Sequence, residues 1–263
     1  MTTESDKKTL RIALNDDTLP ASSLLSFDQI RSVAKAAVDC GIRRFELCGA
    51  EPLRREDIPI LVMMLSSLTI LEDMTLTTDG ILLPRWAKAL RGAGVHSVTV
   101  RLDTFDPVKY RMMTGGGDLT AVLTGIRTLT EVGFPPAVLE VRLIRGLNDD
   151  ELPSLVRLTR MTGISLRLME LTPEEAAAFG PDAHMTCADA LERLPELIRS
   201  EEHPSVYHLD GAAGTVTLIP CGQRDDGCAV LSAAGILSAG TICKNVLSMS
   251  AEELHSFFKE VTA

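Results

Sequence analysis

Six short strand-like runs recur through the first two thirds of the chain, and stretches of helical periodicity separate them. The runs are LRIAL (10–14), RRFELC (43–48), MTLTT (74–78), SVTVRLD (97–103), VLEVRLI (138–144) and SLRLMEL (165–171). Consecutive strand and helix units with short connections are typical of parallel strands joined by right-handed crossovers. Either an open doubly wound sheet or a barrel can be built in this way, and in both architectures ligands bind at the carboxyl ends of the strands.

Three of the intervening stretches carry apolar residues at helical spacing, which predicts amphipathic helices that pack on the strands. These residues are Phe27, Ile30, Val33, Ala34, Ala37 and Val38; Ile58, Leu61, Val62 and Leu65; and Leu119, Val122, Leu123, Ile126 and Leu129. Asp118 stands where it can cap the third helix. A glycine stands where each of four helices should end before the next strand, at Gly41, Gly94, Gly133 and Gly163.

The pattern changes at about residue 173. An acidic, alanine-rich helical segment (174–200) leads to a Gly-Ala-Ala-Gly hairpin turn at 211–214, and a part rich in cysteine and glycine precedes a last helix. We therefore expect an α/β domain over residues 1–173 and a C-terminal extension over residues 174–263 that is not a second independent domain.

The balance of charge excludes two classes of partner. Twenty-six Lys and Arg against 36 Asp and Glu give a net charge of −10, so we expect no broad surface for nucleic acid or an anionic membrane, although a local basic pocket is compatible with it. No stretch approaches the roughly 20 apolar residues of a membrane span, and the first residues are polar, so the expected location is cytoplasmic. Six cysteines are too few and too unevenly spaced for a disulfide framework in a chain of 263 residues.

Polar residues and glycines follow several of the predicted strands. After the second strand, Gly49 would let a ligand approach the backbone, and Glu51 could accept hydrogen bonds from a ligand amine. Thr77 stands at the end of the third strand, and Arg101 at the end of the fourth. Taken one at a time, these segments also read as ordinary turns.

Their order and spacing resemble one family. GAEPL, TTDG, RLDTFDP, TGGGDL, RGLNDDEL and RLMEL follow one another in this chain. The series resembles TGGEPL, TTNG, VSLD, TGRGDL, GxNDDE and RFIEF of the MoaA family, the GTP 3′,8-cyclases of molybdenum cofactor biosynthesis in the radical S-adenosylmethionine superfamily. The resemblance covers about residues 9–173 and implies a partial (β/α)6 TIM-like barrel, here with a small C-terminal α+β extension.

The cofactor site that the resemblance implies is incomplete. The family's Gly-Gly-Glu-Pro turn binds the amino group of S-adenosylmethionine beside a cluster held by a CxxxCxxC loop after the first strand. This chain has no cysteine before Cys40, the second Gly of the turn is Ala50, and the Ser of VSLD is Arg101. Gly49, Glu51, Thr77 and Arg101 match cofactor-side positions, but we expect neither the cluster at this loop nor S-adenosylmethionine, because Arg101 would place positive charge beside a sulfonium.

The resemblance also implies a basic lining for a nucleotide substrate. Arg11, Arg44 and Arg167 match such positions, and arginine suits phosphate through bidentate hydrogen bonds. However, Glu46 replaces one basic residue of the family, and Ala229–Leu231 stand where the family has Arg-x-Arg. The alternative is that the three arginines pair with neighbouring carboxylates such as those of Glu46, Glu140 and Glu170.

Three cysteines near the C-terminus resemble the family's second cluster motif in number and order. Cys221, Cys228 and Cys243 could hold a 4Fe–4S cluster, or a zinc ion with a fourth ligand such as His208, although their spacing departs from the family's. The alternative is three structural or free thiols. Cys40, Cys48 and Cys187 read as small buried apolar residues.

Three functional classes follow. The first is a pseudoenzyme that binds a nucleotide or pterin-like molecule, or regulates molybdenum cofactor biosynthesis, through Arg11, Arg44 and Arg167. The second is an enzyme repurposed around a cluster or zinc at the C-terminal cysteines. The third is a scaffold that docks onto a pathway enzyme. No histidine stands in a recognisable pattern with a nucleophile, so the sequence assigns no catalytic residue.

Overall fold

The computed structural model describes residues 8–68, 70–223, 228–239 and 242–262. The chain divides into two compact units. The first comprises residues 1–78, 82–98 and 225–263, and the second comprises residues 79–81 and 99–224.

Helices separate successive strands from residue 9 to residue 170, as the sequence predicts, and in the described ranges six further strands follow one another between residues 198 and 245. The strands are β1 (Thr9–Ala13), β2 (Arg44–Cys48), β3 (Asp73–Thr78), β4 (Ser97–Arg101), β5 (Val138–Leu143), β6 (Ser165–Glu170), β7 (Ile198–Arg199), β8 (Val206–His208), β9 (Val216–Ile219), β10 (Cys228–Leu231), β11 (Ile236–Ala239) and β12 (Ile242–Asn245). The helices are α1 (Phe27–Asp39), α2 (Ile58–Ser66), α3 (Leu83–Ala93), α4 (Pro107–Met113), α5 (Leu119–Glu131), α6 (Leu152–Thr162), α7 (Pro173–Ala176), α8 (Cys187–Glu192) and α9 (Ala251–Thr262).

The first unit is built on parallel strands with an antiparallel edge. β1 pairs in parallel with β2 on one side and β10 on the other, and β2 pairs in parallel with β3. β10, β11 and β12 follow one another as antiparallel neighbours. Fully buried apolar residues such as Ile12, Phe45 and Phe258 form the core of this unit, where α1 packs against α9 and α2 against α3.

The second unit repeats this plan. Residues 99–101 of β4 pair in parallel with β5, β5 with β6, and β6 with β9. β7, β8 and β9 are antiparallel neighbours, and the predicted turn at 211–214 joins the last two of these strands.

The helix ends follow the signals in the sequence. The side chain of Asp118 accepts a hydrogen bond from the backbone N–H of Thr120, which confirms the predicted cap of α5. Gly94 ends α3 with a φ of 119°, and Gly163 ends α6 with a φ of 72°. Both lie in the left-handed region that glycine enters without a steric penalty.

The six predicted strands are confirmed to within two residues at each end, but the boundary expected at residue 173 does not separate the two units. β6 pairs with β9, which joins residues on both sides of this boundary within the second unit. β10 pairs with β1, so the last part of the chain belongs to the first unit. None of the helices in the described ranges is long and apolar enough to span a membrane.

Candidate functional site

Several of the parallel strands, among them β1, β2, β5 and β6, alternate between buried apolar residues and half-buried residues that are mostly polar. The alternation is clear in β2, where Phe45 and Leu47 are buried while the residues between and beside them are half-buried. Side chains on successive residues of a strand point to opposite faces, so residues in register on neighbouring strands share a face. The polar faces carry the charged residues that the sequence singles out, and each unit has its own.

In the first unit, Arg11 meets a carboxylate. Arg11 is in register with Glu46 on the next strand, and its Nε lies 3.1 Å from Oε2 of Glu46. The hydroxyl of Thr77 donates a hydrogen bond of 3.0 Å to Oε1 of the same carboxylate. The positive charge of Arg11 is therefore offset inside the sheet, as the alternative interpretation of the sequence expects.

Arg44 lies at the opposite end of its strand from the predicted site. It is the first residue of β2, in register with Thr9, and its Nε lies 3.5 Å from Oε2 of Glu72. Four residues of strand, or roughly 13 Å, separate it from Cys48 at the carboxyl end. It lines a pocket of about 290 Å³ at the amino end of β2.

The Gly-Ala-Glu turn after β2 is held by an asparagine that the sequence analysis did not single out. The amide of Asn15 donates to the carbonyl oxygen of Glu51 at 2.7 Å, and its Oδ1 accepts from the N–H of Glu51 at 3.2 Å. Gly49 has a φ of 129°, and a Cβ built there would lie 2.6 Å from the carbonyl oxygen of Asn15. Only glycine fits this position, because Asn15 packs directly against the turn.

The carboxylate of Glu51 is buried and already engaged. Its Oε1 accepts a 2.8 Å hydrogen bond from the hydroxyl of Thr78 and a 2.9 Å hydrogen bond from the N–H of Leu53. The side chain is 1% exposed. These contacts cap the short turn that follows and tie it to β3, so this oxygen already has two donors from the chain.

In the second unit, charges alternate along one row of the polar face. Arg101, Glu140, Arg167 and Thr217 lie in register on four neighbouring strands. The half-buried guanidinium of Arg167 makes no hydrogen bond or ion pair with any residue that the structure describes.

The next arginine of this face has a strong partner. The guanidinium of Arg142 donates to Oδ2 of Asp103 from Nη2 at 2.6 Å and from Nε at 3.0 Å. The backbone N–H of Arg142 also donates to Oδ1 of Asp103, and its guanidinium stacks 5.1 Å from the ring of Phe179. Burial lowers the pKa of Arg142, but the hydrogen bonds to Asp103, together with the negative charges of Asp103, Glu140 and Glu175, raise it above its ordinary value.

The second unit also contains a thiol and carboxylate pair that no pattern in the sequence indicates. Oε2 of Glu170 accepts a 2.9 Å hydrogen bond from the N–H of Cys187, and Nε2 of His184 lies 3.9 Å from Oε1. Burial, followed by the negative charge of Glu170, raises the pKa of Cys187 to about 12. Cys187 is thus buried, as expected, but its neighbour is charged.

Two of the three C-terminal cysteines lie on separate strands of the first unit. Cys228 and Cys243 share one face of the first unit, but their strands are separated by β11 and lie roughly 10 Å apart. Cys221 follows β9 and belongs, with His208, to the second unit. Thiolate ligands lie about 2.3 Å from zinc. Across the described parts of the chain, no group of three His, Cys, Asp or Glu could hold a metal ion.

The chain is similar to one family model and to a group of curated enzymes. The model of the radical SAM superfamily matches residues 14–159. GTP 3′,8-cyclase of Alkaliphilus oremlandii is 38% identical over 201 residues, which cover 74% of this chain and 63% of that protein. The enzyme of the same name from Peptoclostridium acidaminophilum is 37% identical over 203 residues, covering 74% and 62%. The chain thus spans a little over three fifths of the length of these relatives.

Two solved structures share the fold. SuiB of Streptococcus suis, crystallised with S-adenosylmethionine, superposes with a TM-score of 0.60 at 15% identity, over 95% of this chain and 63% of that one. Native anSMEcpe with bound AdoMet and a peptide gives a TM-score of 0.64 at 12% identity, over 97% and 83%. Such structures have partial barrels of parallel strands and helices, and the predicted fold class is confirmed.

Proposed function

The chain belongs to the radical SAM superfamily and, within it, to the MoaA family of GTP 3′,8-cyclases, and from that premise we propose that it binds a nucleotide or a pterin-like molecule without cleaving S-adenosylmethionine. Its role is that of a binding or regulatory protein connected with molybdenum cofactor biosynthesis. The observation that carries this proposal is the guanidinium of Arg167 on the polar face of the second unit, which makes no hydrogen bond or ion pair with the described residues.

The residues after β1 do not fit the cluster that the family implies. Three thiolates would have to come from this segment, and residues 14–26 read LNDDTLPASSLLS. Asn15, the second residue of the segment, instead binds the backbone of the Gly-Ala-Glu turn. We therefore assign no reaction step to such a cluster, and this misfit supports a role without reductive chemistry.

Arg167 supports the binding of an anion. The guanidinium of Arg167 is half-buried and makes no hydrogen bond or ion pair with the described residues, so it bears a desolvation cost that a phosphate or carboxylate ligand would offset, because both can form two parallel charge-assisted hydrogen bonds with arginine. Arg101 lies two strands away in the same row, so a ligand that spans this row meets two arginines around one glutamate. Nucleotides and phosphorylated pterins carry the required charge.

Arg11 and Arg44 contribute less in this proposal. Each already has a carboxylate within 3.5 Å, that of Glu46 or Glu72. Phosphate would have to compete with these carboxylates, and the net gain is therefore smaller than at Arg167.

The binding test is isothermal titration of the anaerobically purified full chain with GTP. Loss of a bidentate contact to a charged ligand costs about 1.5–3 kcal/mol, so Arg167→Ala should raise the Kd roughly 10-fold to 150-fold. Arg127→Ala, on an exposed face of α5 where Arg127 pairs with Glu131, is the matched control and should leave the Kd unchanged. Absence of saturable binding to the wild type, or equal loss in both variants, would reject the proposal.

The chemical half of the proposal has a separate test. The protein is incubated anaerobically with iron, sulfide, dithionite and S-adenosylmethionine, and 5′-deoxyadenosine is quantified by chromatography. We expect none above the protein-free control. Stoichiometric iron and sulfide in the wild type, lost in Cys221→Ala, would instead favour an enzyme repurposed around the C-terminal cysteines.

A further inference from the structure

A thiol and an imidazole meet where α1 ends against α9, at the amino end of the first unit's parallel strands. Sγ of Cys40 lies 3.4 Å from Nδ1 of His255 and 3.5 Å from the carbonyl oxygen of the same residue. Both residues are half-buried. They are 215 positions apart in sequence, so no local motif reveals the pair.

Cys40 forms part of the wall of a basic pocket. The pocket has a volume of about 290 Å³, and its charged lining residues are Lys8, Arg43, Arg44 and Glu72. Three cations and one carboxylate give it a positive balance in a chain whose net charge is −10. Reactive cysteines typically occupy such electropositive, partly exposed surroundings.

The thiol needs a base before it can react. Burial raises the pKa of Cys40; the positive charge of Lys259 opposes this effect, and the negative charge of Asp39 adds to it. The thiol is therefore protonated at neutral pH, whereas the thiolate is the nucleophile. Nδ1 of His255 is within hydrogen-bonding distance of Sγ and can take the proton.

We propose that Cys40 is a site of thiol–disulfide exchange with small anionic disulfides, with His255 as its base. The imidazole takes the proton of Cys40, and Sγ attacks one sulfur of the disulfide. The disulfide bond breaks as the new bond to Sγ forms, and the second sulfur leaves as a thiolate that receives the proton. The small disulfide is the oxidant: one of its sulfurs becomes a free thiol and Cys40 becomes half of a mixed disulfide.

The size and the charge of the pocket define the partner class. Ligand pockets usually measure about 300–1,000 Å³, so this one suits a small molecule. Arg43 uses Nη1 to bind the carbonyl oxygens of Val38 and Ile42, and Lys8 binds the carbonyl oxygen of Val261. Because a guanidinium has five N–H donors and an ammonium three, both groups keep donors for the carboxylates of a ligand.

The experiment compares two probes of opposite charge on the full chain. The protein is incubated at low salt with glutathione disulfide, which is anionic, or cystamine, which is cationic, and each cysteine is quantified by peptide mass spectrometry. We expect Cys40 to react at least five times faster with glutathione disulfide, and added salt to reduce this preference. Exposed Cys243 is the internal control and should show no preference of this size.

Two variants test the base. His255→Gln should slow the reaction of Cys40 at least tenfold while Cys243 reacts as before, and His208→Gln in the second unit is the matched control. Cys40→Ser should abolish the fast component, and circular dichroism checks that each variant is folded. The proposal is overturned if Cys40 stays unmodified while Cys243 reacts, if cystamine reacts equally fast, or if a folded His255→Gln reacts at the wild-type rate.

Discussion

The polar faces of the two units carry the same types of residue but balance their charges differently. In the first unit, Arg11 lies 3.1 Å from Glu46 and Arg44 lies 3.5 Å from Glu72. In the second, Arg142 is bound by Asp103, but Arg167 has no polar partner among the residues that the structure describes. An arginine at a ligand-side position of a strand is therefore informative about binding only once its counter-charge has been located.

The largest expected effect tests whether the turn of the first unit has become structural. Glu51→Ala should lower the free energy of unfolding by about 2–3 kcal/mol, because it leaves the buried hydroxyl of Thr78 and the N–H of Leu53 without their acceptor. Urea unfolding followed by circular dichroism measures the change. Glu56→Ala, at an exposed position nearby, should change it by less than about 0.5 kcal/mol. Equal effects would mean that the contacts of Glu51 do not stabilise the turn.

The next prediction neutralises the carboxylate beside Arg11 on the polar face of the first unit. Glu46→Gln takes away the counter-charge of Arg11 while keeping the size of the side chain. We expect a loss of about 1–2 kcal/mol in the free energy of unfolding, since a largely buried arginine loses its ion pair. Inorganic phosphate should restore part of this stability in Glu46→Gln and not in the wild type, as thermal unfolding would reveal. No phosphate effect would show that a lost counter-charge is not enough to create an anion site.

A pH prediction tests the raised pKa of Cys187, which burial and then the negative charge of Glu170 cause. The pKa of Cys187 is about 12 in the folded protein and near 9.0 for the free thiol. Unfolding then releases a proton between these pH values, so stability falls as pH rises through this window, by at most about 1.4 kcal/mol per pH unit. Urea midpoints at pH 8, 9 and 10 should fall less steeply in Cys187→Ala than in the wild type. Parallel curves would contradict this.

The smallest effect is expected at Arg167. Because this guanidinium makes no hydrogen bond or ion pair with described residues, Arg167→Ala should change the free energy of unfolding of the ligand-free protein by less than about 0.5 kcal/mol. Arg142→Ala, which breaks the pair with Asp103, should cost more than Arg167→Ala. A clear loss of stability in Arg167→Ala would show that it has a structural role, which the proposed ligand site does not include.

Local sequence patterns predicted the strands and helices of the first part of the chain. They did not predict pairings between residues that lie far apart in sequence. Alternation and helical spacing were enough for β1 to β6, because each depends on a few consecutive residues. The parallel pairing of β10 with β1 joins residues more than 200 positions apart. No composition signal marks such a pairing, so the sequence predicted a C-terminal extension and did not reveal its parallel pairing with β1.

The sequence predicted where the residues of the candidate site lie along the strands, but it did not predict the hydrogen bonds that they make. Gly49, Glu51 and Thr77 stand near strand ends as expected, but the hydrogen bonds of Asn15 to the turn required the structure. The one available signal is that an asparagine stands two residues after the end of β1, and asparagine often bonds to nearby backbone groups. The pair of Cys40 and His255 had no such signal, because two helices from opposite ends of the chain bring it together.

The pairing of β1 with β10 also has a consequence for how the protein is made. Thr9 leaves the ribosome early, but its partner Cys228 follows only 219 residues later. At roughly 5–20 residues per second, one edge of β1 lacks its partner strand for about 10–45 s. Exposed strand edges are templates for pairing with other chains. A nascent chain that stalls before residue 228 should therefore depend on chaperones far more than the finished protein does.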